Sequence, residues 1–219
     1  CHGRETAVGM GASMSLGHGA QQVFDSAEGN KMRVVSVLGD STFFHTGINS
    51  LLDVAYNKSN LITVVLDNRI TAMTGQQDNP GSGLTIQGEV TEAVSIEAIT
   101  RAFGFRNVRV INPNQLDEVK EALDWALALQ EPSVIITRWP CALKKQTALD
   151  KQEFKGSFTS VYWVNEEVCI GCKKCTRTGC PAIVFQFAKK KSSIDPEKCV
   201  GCSVCAQVCP VGAIQKVEA

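Results

Sequence analysis

Apolar and polar residues divide this chain into recognisable elements. Residues 34–38, "VVSVL", and 61–66, "LITVVL", are short apolar runs of the kind that form fully buried strands. A third strand is expected over 107–111 and a fourth over 133–138, "SVIITR". Residues 114–129, "NQLDEVKEALDWALAL", have a helical apolar period and form the clearest amphipathic helix. Residues 46–57, "TGINSLLDVAYN", suit another helix, with Ile48, Leu51, Leu52 and Ala55 on one face. Residues 6–20, rich in small side chains, read as a loop entering a tightly packed helix. Strands alternating with helices predict an α/β domain with a parallel sheet and flanking helices.

The periodicity fails in two places. Residues 73–88, "MTGQQDNPGSGLTIQG", have none, and a loop of that length in a compact domain is usually functional. After Pro140 the pattern is lost again, and from about residue 161 the chain is cysteine-rich with short elements. The expected division is an α/β domain over 1–150, a linker over 151–160 and a small α+β domain over 161–219.

Composition narrows the function. The 219 residues carry no formal net charge, which argues against a nucleic acid or an anionic membrane as partner. No apolar run reaches membrane-spanning length, and no signal peptide is visible. Of ten cysteines, Cys1 and Cys141 stand alone and eight fall between residues 169 and 209. That clustering favours a metal site in a reducing compartment, here taken as the cytoplasm, over a secreted disulfide scaffold.

"CIGCKKCTRTGCP" (169–181) and "CVGCSVCAQVCP" (199–210) are an internal repeat. Cys169, Cys172 and Cys175 recur as Cys199, Cys202 and Cys205, and Cys180 and Cys209 each precede a proline. This spacing resembles the two-cluster bacterial ferredoxin domain, in which the fourth ligand of each [4Fe-4S] cluster comes from the other half of the repeat. One cluster is then expected on Cys169, Cys172, Cys175 and Cys209, the other on Cys199, Cys202, Cys205 and Cys180. One extra residue before Cys180 widens the first loop. Structural zinc and disulfides are the competing readings, but zinc sites usually pair two Cys-x-x-Cys knuckles. Lys189–Lys191 read as a solvated hairpin tip, with docking of an acidic electron carrier as the sharper alternative.

In the first domain "LGDS" ends one strand and "LDN" the next. A right-handed crossover brings the carboxyl ends of both strands to the same sheet edge, where α/β domains bind ligands. Asp40 and Asp67-Asn68 then converge, and hard oxygen ligands suit Mg²⁺ bridging to a diphosphate. Gly39 would allow a sharp turn. Ser41 and Thr42 open a helix whose free N–H groups can hold phosphate oxygens. Taken alone, Asp40 is more often a helix cap than a metal ligand.

"GDS" followed by "LDNRITAMTG" resembles the Gly-Asp-Gly…Asn-Asn motif of thiamine diphosphate enzymes, with Ser41 in place of the usual third residue, glycine. The resemblance implies Mg²⁺ ligation by the side chains of Asp40 and Asn68 and the carbonyl of Ile70. It also implies cofactor contact at Met10 and Gly11 in "GMGAS". The two motifs in this order, from about residue 7 to the end, resemble the C-terminal part of the alpha subunits of indolepyruvate:ferredoxin oxidoreductases. Implied with it are thiamine diphosphate, Mg²⁺ and two [4Fe-4S] clusters. An aryl pyruvate or other 2-oxo acid loses CO₂, coenzyme A takes the acyl group, and an external ferredoxin takes the electrons. Pyruvate is the alternative substrate, and an electron-transfer module with a vestigial thiamine site the alternative role. The activating glutamate and the pyrimidine-binding domain have no counterpart here, so they are expected on a segment ahead of Cys1 or on a partner chain of an oligomer, without which the chain is inactive.

His45, Gln76 and Gln77 are further candidates for substrate contact, each with a solvated alternative. His18 and Cys141 are expected to be structural, and Trp125 and Trp139 core. A nicotinamide or flavin reductase is disfavoured, because no Gly-x-Gly-x-x-Gly follows a first strand.

Overall fold

The computed structural model describes residues 8–28, 32–154 and 160–217. Cys1 and residues 155–159 of the expected linker lie outside them. The chain forms two compact units, the first running through Pro113 and taking Asp117–Lys144, the second taking Asn114–Leu116 and the chain from Lys145 onward.

The first unit is built on four parallel strands, β1 (Val35–Gly39), β2 (Ile62–Asp67), β3 (Asn107–Ile111) and β4 (Ser133–Arg138), in the order β1-β2-β4-β3. Helix α1 (Ala12–Ser26) precedes β1. After β1 the chain turns directly into α2 (Asp40–Thr42), a π turn (Phe43–Gly47) and α3 (Ile48–Tyr56). Helices α4 (Ile96–Ala102) and α5 (Leu116–Ala128) complete the layers. One face of the sheet packs Leu38, Val65, Val134 and Ile136 against Met14, Phe43, Leu51, Val54 and Ile96. The other packs Ile62, Ile111 and Ile135 against Ala122 and Ala126 of α5.

Some expectations need correction. Among the described residues β1 is an edge strand, not one buried on both faces. Val35 and Val37 are nearly half exposed, because α5 packs on Ile62, Ile111 and Ile135 and β1 lies beyond them. On α3 the buried positions are Leu51 and Val54, while Leu52 is exposed. Trp125 is half-buried, with the Arg109 guanidinium 4.2 Å from its ring centroid. The sequence reading did not anticipate α4. It also missed α6 (Ala148–Glu153), which begins in a capping box between Thr147 and Asp150.

The second unit contains two antiparallel ribbons. β5 (Tyr162–Val164) pairs with β8 (Ile214–Lys216), and β6 (Ile183–Gln186) pairs with β7 (Lys191–Ile194). A 3₁₀ turn (Cys175–Thr178) and the short helix α7 (Val204–Gln207) occupy equivalent places in the repeat. Val164, Ala213 and Ile214 form a small core with Cys169, Cys175 and Cys205. Among the described residues no helix is long and apolar enough to cross a membrane.

Candidate functional site

β1 and β2 are direct neighbours, with Gly39 in register with Leu66, so Asp40 and Asp67 leave the sheet side by side. Their roles differ. Asp67 is spent on Arg138, at 2.7 Å, and Arg69, at 3.5 Å. Asp40 is equally buried but, among the described residues, has no ion pair. Its Oδ1 accepts from the Ser41 N–H at 2.7 Å, and its Oδ2 from the Ile70 N–H at 3.2 Å and the Asn79 amide at 3.1 Å. Burial pushes the Asp40 carboxyl above the usual carboxylate range, the nearby Asp67 adds to the rise, and the hydrogen bonds from Asn79, Ser41 and Ile70 offset only part of it.

The Ile70 N–H is shared. It also points to Asn68 Oδ1, at 3.2 Å, so one amide gathers a carboxylate oxygen and a carboxamide oxygen. Arg69, between them, is buried with φ 61°, a left-handed conformation costly for a non-glycine residue. That bend brings Ile70 N back to Asn68. The donor chemistry fits a hard dication. The oxygens are gathered at a buried spot where negative charge is uncompensated, and a bound cation would reverse the rise in the Asp40 pKa.

The neighbouring expectations fare unevenly. Gly39 makes no special turn. Its φ of −81° and ψ of 164° suit any residue, and a Cβ there would meet nothing within 4 Å, so the glycine leaves open space at the strand end. Ser41 and Thr42 lie in the first turn of the helix as expected, but the Ser41 N–H is not free, since it donates to Asp40 Oδ1, and Ser41 Oγ accepts from Thr71 Oγ1 at 2.8 Å. Gly11 caps α1 with φ 85°, and a Cβ there would come within 2.8 Å of Thr46. Met10 beside it is exposed.

His45 is exposed and bonded to Thr46 Oγ1. His18 pairs with Asp53 at 3.4 Å. Gln76 is exposed with φ 64°, and Gln77 is held by Thr74 at both ends of its amide. Neither glutamine joins the oxygen cluster. Cys141 is half-buried and its N–H donates to the Asn68 carbonyl at 3.0 Å, bracing the β2 end. Trp139, also half-buried, does the same to the Asp67 carbonyl at 3.1 Å.

Sequence reasoning missed Asn79. Its amide donates to Asp40, and its Oδ1 accepts from the Gly81 N–H at 2.9 Å. The only local signal is "DNPG", an asparagine before Pro-Gly, which marks a turn rather than a site.

In the second unit Cys169, Cys172, Cys175 and Cys209 line one cavity. Cys180, Cys199 and Cys202 surround Cys205, whose thiol is pushed up to about 12, first by burial and then by these three neighbours. Each quartet therefore takes one cysteine from the other half of the repeat. Burial would raise the Cys209 thiol as well, but the backbone N–H groups of Val211, Ala213, Ile214 and Gly212 outweigh it and bring it below its ordinary value. Donors converging on a sulfur favour the thiolate, the form that binds metal. Among the described residues no three His, Cys, Asp or Glu side chains close around a single ion. Gly171 and Gly201 explain the repeated glycine. Both have φ near 70°, and a Cβ would lie 2.3 Å from the carbonyl of Lys190 or of Ser160.

Comparison with known proteins gives these features a context. Residues 1–137 match the family described as thiamine pyrophosphate enzyme, C-terminal TPP binding domain. The chain belongs to the thiamine pyrophosphate enzymes. Residues 162–216 of this family member match the 4Fe-4S dicluster domain, so thiamine-binding and iron–sulfur domains are fused in one chain. The indolepyruvate oxidoreductase subunit IorA of Pyrococcus horikoshii is 42% identical over 98% of this chain and 34% of its own length. The IorA subunit of Archaeoglobus fulgidus is 37% identical over 99% and 33%. The chain thus spans about a third of the length of these relatives. Among solved structures, the 2-oxoglutarate:ferredoxin oxidoreductase of Magnetococcus marinus shares the fold, with a TM-score of 0.55, 16% identity and coverage of 66% of this chain and 50% of that one.

Proposed function

We propose that this thiamine pyrophosphate enzyme chain is the diphosphate-binding and electron-relay part of a 2-oxo acid:ferredoxin oxidoreductase subunit acting on indolepyruvate or another aryl pyruvate. The observation that carries the reading is the fusion of an oxygen-lined strand edge, Asp40 with Asn68, to two crossed cysteine quartets. The likeness to IorA subunits supports the substrate class.

In this reading the Asp40 and Asn68 side chains and the Ile70 carbonyl hold Mg²⁺. The open space at Gly39 takes the diphosphate, the Thr42 N–H and the Ser41 hydroxyl donate to its oxygens while the Ser41 N–H stays on Asp40, and Met10 and Gly11 border the cofactor. Thiamine diphosphate supplies the nucleophilic carbon and the electron sink for decarboxylating a 2-oxo acid. The quartets of Cys169, Cys172, Cys175 and Cys209 and of Cys180, Cys199, Cys202 and Cys205 hold two one-electron acceptors, matching the two electrons released. Coenzyme A takes the acyl group and an external ferredoxin the electrons. A pyrimidine-binding partner supplies the activating glutamate, and the assembly works in the reducing cytoplasm.

The test is an oxygen-free calorimetric titration of thiamine diphosphate into the assembled subunits containing this chain, with and without Mg²⁺. Mg²⁺-dependent binding that disappears in Asp40→Ala supports the reading. Unchanged binding in that variant, or no binding to a cluster-loaded assembly, overturns it. Turnover of indolepyruvate beside pyruvate then tests the substrate, and preference for pyruvate sinks the aryl assignment.

A further inference from the structure

The two halves of the cysteine repeat are copies in backbone but not in surface. Gly171 and Lys173 have φ 68° and 59°, and Gly201 and Ser203 have φ 69° and 65°. Yet the first half presents Ile170, Lys173 and Lys174 where the second presents Val200, Ser203 and Val204. Cys172, Lys173 and Lys174 are exposed, whereas Cys202, Ser203 and Val204 are half-buried. Ile170 is 64% exposed against 37% for Val200.

Lys173 is held in place at this surface. Its ammonium lies 4.4 Å from the Phe185 ring centroid and 5.0 Å from that of Phe187, and the two rings meet edge to face. Stacking on aromatic faces orients the cation without neutralising it. Phe187 itself is 77% exposed. The hairpin lysines are partly committed elsewhere. Lys189 binds both oxygens of Glu166, and Lys191 donates to the Cys169 carbonyl. Lys173, Lys174 and Lys190 have no ion pair among the described residues.

We infer that the face made by Ile170, Cys172, Lys173, Lys174 and Phe187 docks an acidic one-electron carrier protein. The carrier draws its electrons from the cluster on Cys169, Cys172, Cys175 and Cys209. The inference rests on the iron–sulfur part of the proposed function. Two exposed apolar side chains provide a desolvated centre, the held Lys173 and its neighbour Lys174 steer a negative partner, and an exposed ligand cysteine shortens the path for the electron. Electron-transfer interfaces are small and transient, so a patch of this size is adequate. The step moves one electron from the reduced cluster to the oxidised carrier, and no bond forms or breaks. Among the described residues the other cluster has no such rim, so exit is assigned to the first half of the repeat.

The test bypasses the thiamine chemistry, so its failure is distinguishable from failure of the decarboxylase reading. The cluster-loaded chain is reduced photochemically without oxygen and mixed in stopped flow with an oxidised, acidic [2Fe-2S] ferredoxin. The second-order rate constant should fall with added salt. At low salt K173E and K174E should each lower it about fivefold, as expected for a steered encounter. K198E, with the same change in net charge beside Cys199, should leave it nearly unchanged, and F187S should slow transfer at high salt as well. Iron and sulfide content confirms loading in every variant. A rate insensitive to salt, equal slowing by K198E, or full speed in loaded K173E and K174E overturns the inference. So does loss of transfer when the chain is assembled with its partner subunits, which would make this face a subunit contact.

Discussion

Asn79 donates its side-chain amide to Asp40 Oδ2 at 3.1 Å, tying the long loop after β2 to the carboxylate at the end of β1. The same side chain accepts from the Gly81 N–H, so it braces the loop as well as the acid. Asn79→Ala should weaken Mg²⁺-dependent thiamine diphosphate binding about tenfold, the scale of one hydrogen bond to a charged group. Amide exchange over residues 79–83 should quicken, and iron content should stay constant. Calorimetry, exchange mass spectrometry and an iron assay check the three together.

Gly11 and Gly39 separate backbone need from ligand need. Gly11→Ala places a Cβ against Thr46 in a left-handed position, and should destabilise the first unit by about 1–2 kcal/mol. Gly39→Ala meets no neighbour and should change stability by less than about 0.5 kcal/mol while weakening diphosphate binding. Thermal melts with and without thiamine diphosphate and Mg²⁺ distinguish the two.

The crossed quartets predict which cluster each terminal cysteine serves. Cys209→Ser should abolish the cluster on Cys169, Cys172 and Cys175 and spare the other. Cys180→Ser should do the reverse. Iron should drop from about eight to about four atoms per chain in each case. The electron paramagnetic resonance signals of the two reduced variants should differ. Loss of both clusters in both variants would contradict the independence of the quartets.

Thiol reactivity should follow the local fields. Cys209 is held below its ordinary pKa and so is more often thiolate, while Cys205 is pushed up to about 12 and so is thiolate in only ~1 in 10⁴ molecules at pH 8. In the cluster-free chain, iodoacetamide should modify Cys209 early and Cys205 last. Raising the pH should hasten Cys205 more than Cys209. Mass spectrometry of timed quenches reads the order, which should vanish in denaturant.

The strands were legible because 61–66 and 133–138 are short stretches rich in β-branched and apolar residues, with polar residues at or next to their ends. Their observed ends, Ile62–Asp67 and Ser133–Arg138, lie within one residue of the reading. Asp40 and Asn68 were legible because strand ends in a parallel sheet share one edge. The exposure of Val35 and Val37 was not, since it depends on how far α5 reaches across the sheet, which no local pattern encodes. The start of α6 was readable in principle. Thr147 and Asp150 form the Thr-x-x-acid pattern of a capping box, obscured by the loss of apolar period around it. Asn79 and the left-handed Arg69 stayed hidden for another reason. Their roles come from contacts made by a loop without periodicity, and only the folded chain brings those groups together.

The π turn at Phe43–Gly47 has a consequence for how this stretch can vary in evolution. Such a turn accommodates one residue more than an α-helix would, and each residue of helix carries about 100° of rotation. The surplus lets the segment satisfy two demands at once, with Asp40 at the sheet edge and Leu51 and Val54 in the core. Deleting one residue there would turn one of these ends away from its place. Among related chains this stretch should therefore drift by substitution while its length stays fixed.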